Sequence, residues 1–275
     1  MNQDFEVMYH YYKHLINDPK VIKDKIIIMV KKKDVDKLGN LNSAVNKFYQ
    51  FMVDYYNYNK FPKIVSDEKY NQIPIKETYH GFTSLSHPAT LLTHWNYHYG
   101  QGIIPGFYST DVFEHAKRYT VKDEYWGFTR NERVMKMKYL AQKSISLQEI
   151  EIMASYLFHP EMINLKKHPE EKKKIDELRS FAVKKDPVNA HDFLTLFLSD
   201  AILAIYLGYD SIICDKSMKN VEYLISLDRA KIVLSLSEAK RFMKHGKSFK
   251  NGLLNIVPDS EIDELLKNDN QEILK

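Results

Sequence analysis

One cysteine, Cys214, stands in a chain of 275 residues. No intrachain disulfide is possible, so the fold does not depend on an oxidising compartment, and no cysteine cluster can hold zinc. Only nine glycines and nine prolines are present, which argues against a loop-rich or disordered chain. The start, Met1-Asn2-Gln3-Asp4-Phe5-Glu6, lacks the basic-then-apolar order of a classical secretory signal. The longest apolar stretch, Phe193 to Tyr209, is short for a membrane span and contains Ser199 and Asp200. It reads as a buried helix, and no membrane partner is expected.

Several site signatures are also missing. There is no Gly-x-Ser-x-Gly elbow and no phosphate-cradling loop ending in Gly-Lys-Ser/Thr. Gly100-Gln101-Gly102 with Gly106 has the wrong spacing for a dinucleotide fingerprint, and Pro105 does not open a helix. His94 and His98 have the spacing of a helical metal pair, but no third ligand lies near them in sequence, so no metal is expected.

What is present is ordinary in bulk and unusual in detail. The hydrophobic fraction of 44% and the charged fraction of 28% suit a globular protein with a real core. The formal charge of +4 permits an acidic partner without indicating one. Aromatic residues reach 13%, with 19 tyrosines and 14 phenylalanines.

Residues 1–70 read as a helical N-terminal region, with Val45, Phe48, Tyr49, Met52 and Tyr55 recurring on one helix face. Ile26 to Val30 is a short apolar run ended by Lys31-Lys32-Lys33. Asn57 to Pro62 breaks the helical pattern, and a boundary is expected within 62–76. Residues 71–275 read as one α/β domain with a helical insertion over about 140–207. Inside that insertion, Ser146-Leu147-Gln148-Glu149 is a capping box, and the Lys and Glu runs of 159–186 read as a solvated helix face. Asp192 to Leu207 reads as a helix stopped by Gly208. Tyr209 to Cys214, Glu222 to Leu227 and Lys231 to Leu236 read as strands. An acidic helical tail follows Pro258.

Three segments share one chemical task. They are Thr78-Tyr79-His80-Gly81, then Gly106-Phe107-Tyr108-Ser109-Thr110-Asp111 with Ala116 and Tyr119, then Val221-Glu222-Tyr223. Breaking the nicotinamide–ribose bond of NAD leaves cationic character on the ribose carbon, as in glycoside hydrolysis. A site for this step holds the nicotinamide between aromatic faces, fixes the ribose hydroxyls and aims a carboxylate at the developing cation. Tyr108 and Tyr119 suit the first role, if a strand ends near Tyr108 and Asp111 to Tyr119 form a helix. His80 suits the second and Glu222 the third. Gly81 lets backbone approach the carboxamide closely. Each segment alone also has a plainer reading: a turn histidine, core aromatics, a solvent-facing strand charge.

In these residues the chain resembles the ADP-ribosyltransferases with a His-Tyr-Glu site, the class of diphtheria toxin and the poly(ADP-ribose) polymerases. The toxin's catalytic domain is the nearer likeness, in patches between residues 78 and 236. The resemblance implies a mixed α/β (α+β) ADP-ribosyltransferase fold of two packed antiparallel sheets with flanking helices. It implies that Glu222, His80 and Tyr108 are catalytic, and that His80, Gly81, Tyr108 and Tyr119 bind NAD as co-substrate. Asn220, two before Glu222, stands where arginine-modifying members carry a second acid. Phe82 and Leu227 depart from the toxin's pattern, as do the lengths between motifs.

The activity implied is mono-ADP-ribosyl transfer from NAD to a macromolecule, with a protein preferred as acceptor and elongation factor 2 suggested by analogy alone. RNA or DNA as acceptor, for example in phage defence, is the second reading, mildly allowed by the pI of about 8.7. An inactive NAD-binding module is the third. A bacterial toxin or effector, injected into a target cell or acting in its own cytoplasm, is the expected setting. The oligomeric state and the modified residue are left open.

Overall fold

The computed structural model describes residues 3–17, 38–58, 61–82, 92, 106–120, 129–214, 222–243 and 254–272. The chain falls into two compact units. One comprises 1–56, 102–105 and 145–208; the other comprises 57–101, 106–144 and 209–275. Residues 57–70, read from sequence with the helical region, thus lie in the sheet unit.

The first unit is helical. It contains α1 (Gln3–Ile16), α2 (Leu38–Tyr55) and a run from α5 (Leu147–Phe158) through α6 (Pro169–Lys185) and α7 (Ala190–Thr195) to α8 (Asp200–Leu207). α1 buries Phe5, Met8, Tyr9, Tyr12 and Leu15 at helical spacing. Phe48, Tyr49 and Met52 of α2 are buried, whereas Tyr55 is exposed. The capping box forms as expected: Ser146 Oγ accepts from Glu149 N, and the Glu149 carboxylate takes the Ser146 N–H.

The apolar stretch around Ser199 is not one helix. A 3-10 turn, Leu196–Leu198, and extended Ser199 divide α7 from α8, and the two sections are bent by 94°. Gly208 ends α8 in the left-handed region at φ 91°. Among the described residues no single helix is long and apolar enough to cross a membrane. Lys172, Lys173 and Lys174 are exposed on α6.

The second unit is built on a mixed sheet. Its strands are β1 (Lys63–Val65), β2 (Glu77–Gly81), β3 (Phe107–Thr110), β4 (Val134–Tyr139), β6 (Ser211–Cys214), β7 (Tyr223–Ser226) and β8 (Ile232–Ser235), while β5 (Ser144–Ser146) has only Ser144 in this unit. The described strands join in one eight-stranded sheet of order β1-β8-β4-β2-β3-β7-β6-β5. β1 and β8 are parallel; β2/β3, β2/β4, β3/β7, β4/β8 and β6/β7 are antiparallel.

Alternation along the strands sends one set of side chains to each face. Phe82, Phe107, Met135, Met137, Tyr139, Ile232 and Leu234 form a core with Ala239 and Phe242 of α9 (Leu236–Met243). On the other face Val65 and Val233 pack with Tyr70 and Ile73 of α3 (Asp67–Gln72) and its C-cap, and with Ile262 of α10 (Asp259–Glu272). Lys138 is buried there, its Nζ donating to the carbonyls of Tyr70 and Ile73 at 2.9 and 2.6 Å. α4 (Phe113–Arg118) lies on this same face, beside β2 and β3.

Candidate functional site

Tyr79, His80 and Gly81 end β2, Tyr108 lies within β3, and Glu222 directly precedes β7. The three strands are neighbours, but the β2–β3 ladder consists of one residue pair, Tyr79 with Thr110. β2 pairs with β4 over its whole length, as β3 does with β7.

Hydrogen-bond parity says which backbone groups meet at that short junction. Phe82 N donates to Arg133 O at 3.1 Å, so Thr78, His80 and Phe82 turn their peptide groups to β4. Asp111 N donates to Glu222 O at 3.3 Å, so Phe107, Ser109 and Asp111 turn theirs to β7. The next ladder pair after Tyr79–Thr110 would be Gly81 with Tyr108. It does not form; instead the Tyr108 carbonyl is met by His80 Nδ1 at 2.5 Å. A side chain thus sits where the sheet would have continued, and Gly81's N–H and C=O are directed into the opening.

The His80 ring stacks on Phe107 at 4.1 Å and lies edge-on to Phe82 at 4.7 Å. Burial pushes its pKa down to about 4, the nearby Arg229 charge acts the same way, and the bond to Tyr108 opposes both. The imidazole is therefore neutral at pH 7. A carbonyl can only accept, so Nδ1 carries the proton and Nε2 is the acceptor.

Gly81 has a packing reason to be glycine. A Cβ there would lie 2.0 Å from Ala116 O and 3.2 Å from Thr120 Cγ2. The last turn of α4 rests directly on β2.

α4 forms as the sequence implies, with Tyr119 as its C-cap, N–H donating to Ala116 O at 3.1 Å. Tyr119 is 49% exposed. Its hydroxyl lies 3.3 Å from the Tyr223 hydroxyl, which in turn bonds His115 Nε2. His115 stands edge-on to both rings, at 5.6 Å from Tyr119 and 5.2 Å from Tyr223. Burial first, then the Tyr119 bond, pushes the Tyr223 hydroxyl up to about 12. Nothing in the three motifs pointed to His115; its only signal was its place on the helix carrying Tyr119.

The site residues divide between the two faces of the sheet. His80 packs against Phe107, so Tyr108 points the other way, to the α4 face with Tyr119 and Tyr223. Tyr223 faces α4, which turns Glu222 to the His80 face. Two strand spacings and two residues separate His80 from Glu222, about 10 Å across and about 7 Å along.

Glu222 is half-buried. Its N–H donates to Asp111 Oδ1 at 3.1 Å, and its carbonyl accepts from Asp111 N at 3.3 Å. Asp111 Oδ2 accepts from Lys76 Nζ at 2.8 Å; that bond raises the Lys76 pKa. Asn220, Val221, His94, His98 and Gly100 to Gly102 lie outside the described residues, as do Ile26 to Lys33. Among the described residues no group of three or more His, Cys, Asp or Glu side chains could hold a metal ion. Compared with family models, curated proteins and solved structures, the chain matches none.

Proposed function

We propose that this protein is an ADP-ribosyltransferase that cleaves NAD and transfers ADP-ribose to a macromolecular acceptor, with protein preferred. The observation that carries the reading is the β2–β3 junction. The three motifs, far apart in sequence, lie on or directly beside the neighbouring strands β2, β3 and β7, and β2 and β3 are joined by a single residue pair. In this reading β1-β8-β4-β2 and β3-β7-β6-β5 are the two sheets of an ADP-ribosyltransferase fold, and the opening between Gly81 and Tyr108 is its NAD cleft.

The residues then have separable tasks. His80 Nε2 accepts a hydrogen bond from a ribose hydroxyl. Gly81's peptide groups receive the nicotinamide carboxamide. The rings of Tyr108 and Tyr119 hold the nicotinamide from the α4 side, while His80 and Glu222 meet the ribose side. The C–N bond from nicotinamide to ribose breaks, and its electron pair leaves with nicotinamide. The Glu222 carboxylate stabilises the cationic ribose. An acceptor nucleophile then bonds the ribose carbon and releases its proton.

The test is incubation of the purified chain with labelled NAD and cell lysate, followed by protease or nuclease. Protease-sensitive label, absent with Glu222→Gln, is expected. Label lost only to nuclease moves the acceptor to nucleic acid. No transfer and no nicotinamide release overturns the reading.

A further inference from the structure

We propose that Asp111 is the positioning residue for Glu222, a role that rests on the transferase reading above. In each hydrogen-bonded pair of an antiparallel ladder the two opposed residues exchange two backbone hydrogen bonds, and Asp111 N to Glu222 O puts these two residues at such a pair. Asp111 and Glu222 make only one in that way, Asp111 N to Glu222 O at 3.3 Å. The return bond runs from Glu222 N to the Asp111 side chain, at 3.1 Å to Oδ1. The carboxylate stands in for the missing carbonyl and closes the ring of bonds.

The substitution has a local cause. β3 ends at Thr110, and the chain turns at once into α4, whose first turn is closed by Val112 O accepting from His115 N and Ala116 N. At that turn the Glu222 N–H is taken by the Asp111 side chain and not by its carbonyl. Without the side chain, the N–H of the residue bearing the catalytic carboxylate would lose its partner at the end of its strand.

Asp111 is itself held. Its side chain is 10% exposed, and its second oxygen takes Lys76 Nζ. Lys76 is 68% exposed, so solvent screens that pair and the charge contributes little. Geometry, not charge, is what Asp111 supplies. A catalytic group displaced by a fraction of an ångström loses transition-state stabilisation more than ground-state affinity.

The experiment measures NAD cleavage with water as acceptor in the full chain, alongside amide exchange at Glu222. Asp111→Ala is expected to lower kcat at least about tenfold with KM for NAD changed less than about twofold. Asp111→Asn keeps Oδ1 and is expected within about threefold of wild type. Asp111→Glu keeps the charge but overreaches by one methylene, so it is expected to behave as Asp111→Ala; it carries the test if the alanine variant does not fold. In a Glu222→Gln background the alanine change is expected to cost no further rate. Exchange at the Glu222 amide rises in Asp111→Ala and Asp111→Glu but not in Asp111→Asn.

Equal damage from Asn and Ala, or full damage from Ala on top of Glu222→Gln, overturns the role. A wild type that cleaves no NAD removes the transferase reading instead, and the exchange comparison still decides whether Asp111 holds Glu222.

Discussion

His80 makes with its ring a hydrogen bond that a β-ladder would otherwise have made with backbone: its Nδ1 lies 2.5 Å from the Tyr108 carbonyl. The bond sits one step past the only pair that joins β2 to β3, Tyr79 with Thr110. The ring's tautomer is set by a group that can only accept. The β2–β3 ladder ends at that pair, and the His80 ring occupies the place of the next one.

Glu222→Gln is expected to cut transfer and NAD cleavage by about 100-fold or more, the scale of losing a group aimed at transition-state charge. Glutamine keeps the backbone bonds to Asp111, so NAD affinity and melting temperature are expected to stay near wild type. Calorimetric NAD binding and nicotinamide release check the two halves separately. Near-normal turnover in this variant would falsify the assigned role.

His80 yields a pH prediction with a definite sign. Its folded pKa of about 4 lies below the model-peptide value of 6.5. The unfolded chain therefore takes up the proton first, so stability from the neutral ring is complete above pH 6.5 and drains away as pH falls toward 4. Melting curves of wild type and His80→Gln across that range should converge toward the acid end. NAD affinity should show no inflection between pH 6 and 8, since the ring does not titrate there. In His80→Ala, the NAD-induced rise in melting temperature should shrink. An NAD-induced rise as large as that of wild type would return His80 to a purely structural role.

The tyrosine pair separates ring from hydroxyl. Tyr108→Ala or Tyr119→Ala is expected to weaken NAD binding, and nicotinamide to compete with NAD. Phe at either place keeps the face that stacks. Tyr119→Phe also removes the contact to Tyr223, a bond at a half-exposed site expected to stabilise by about 1 kcal/mol or less. Equal losses of NAD affinity with Phe and Ala would show that the hydroxyls, not the ring faces, bind.

Gly81→Ala tests the seat of α4. The added methyl would collide with the Ala116 carbonyl at 2.0 Å, and backbone cannot swing aside as a side chain can. A loss of about 1–3 kcal/mol is expected from such overpacking, read as a lower urea midpoint. An unchanged midpoint would mean that α4 shifts freely on β2.

Much of this was legible in the chain. Local bonding determines a capping box and a left-handed stop, so Ser146–Glu149 and Gly208 could be read where they stand. Alternation and apolar density mark β6, β7 and β8 within one or two residues. The helix from Phe113 to Arg118, with Tyr119 at its end, also agrees with the spacing of the tyrosines. The stretch 192–207 misled because an apolar run does not report direction: Ser199 breaks it in extended backbone, and the sections part at 94°.

The division of the chain was less legible. β1, three residues long, belongs to the sheet unit because it pairs with β8, its partners 170 positions later, and no local signal encodes that partner. The same holds within the site. Residue type and order pointed to His80, Gly81, Tyr108, Tyr119 and Glu222, because chemistry restricts which side chains can do each task. Sequence could not say on which face each stands, which nitrogen of His80 holds its proton, or that Asp111 grips Glu222. Those depend on register between strands distant in sequence. One residue of slip would reverse every face, and only the packed sheet chooses the register.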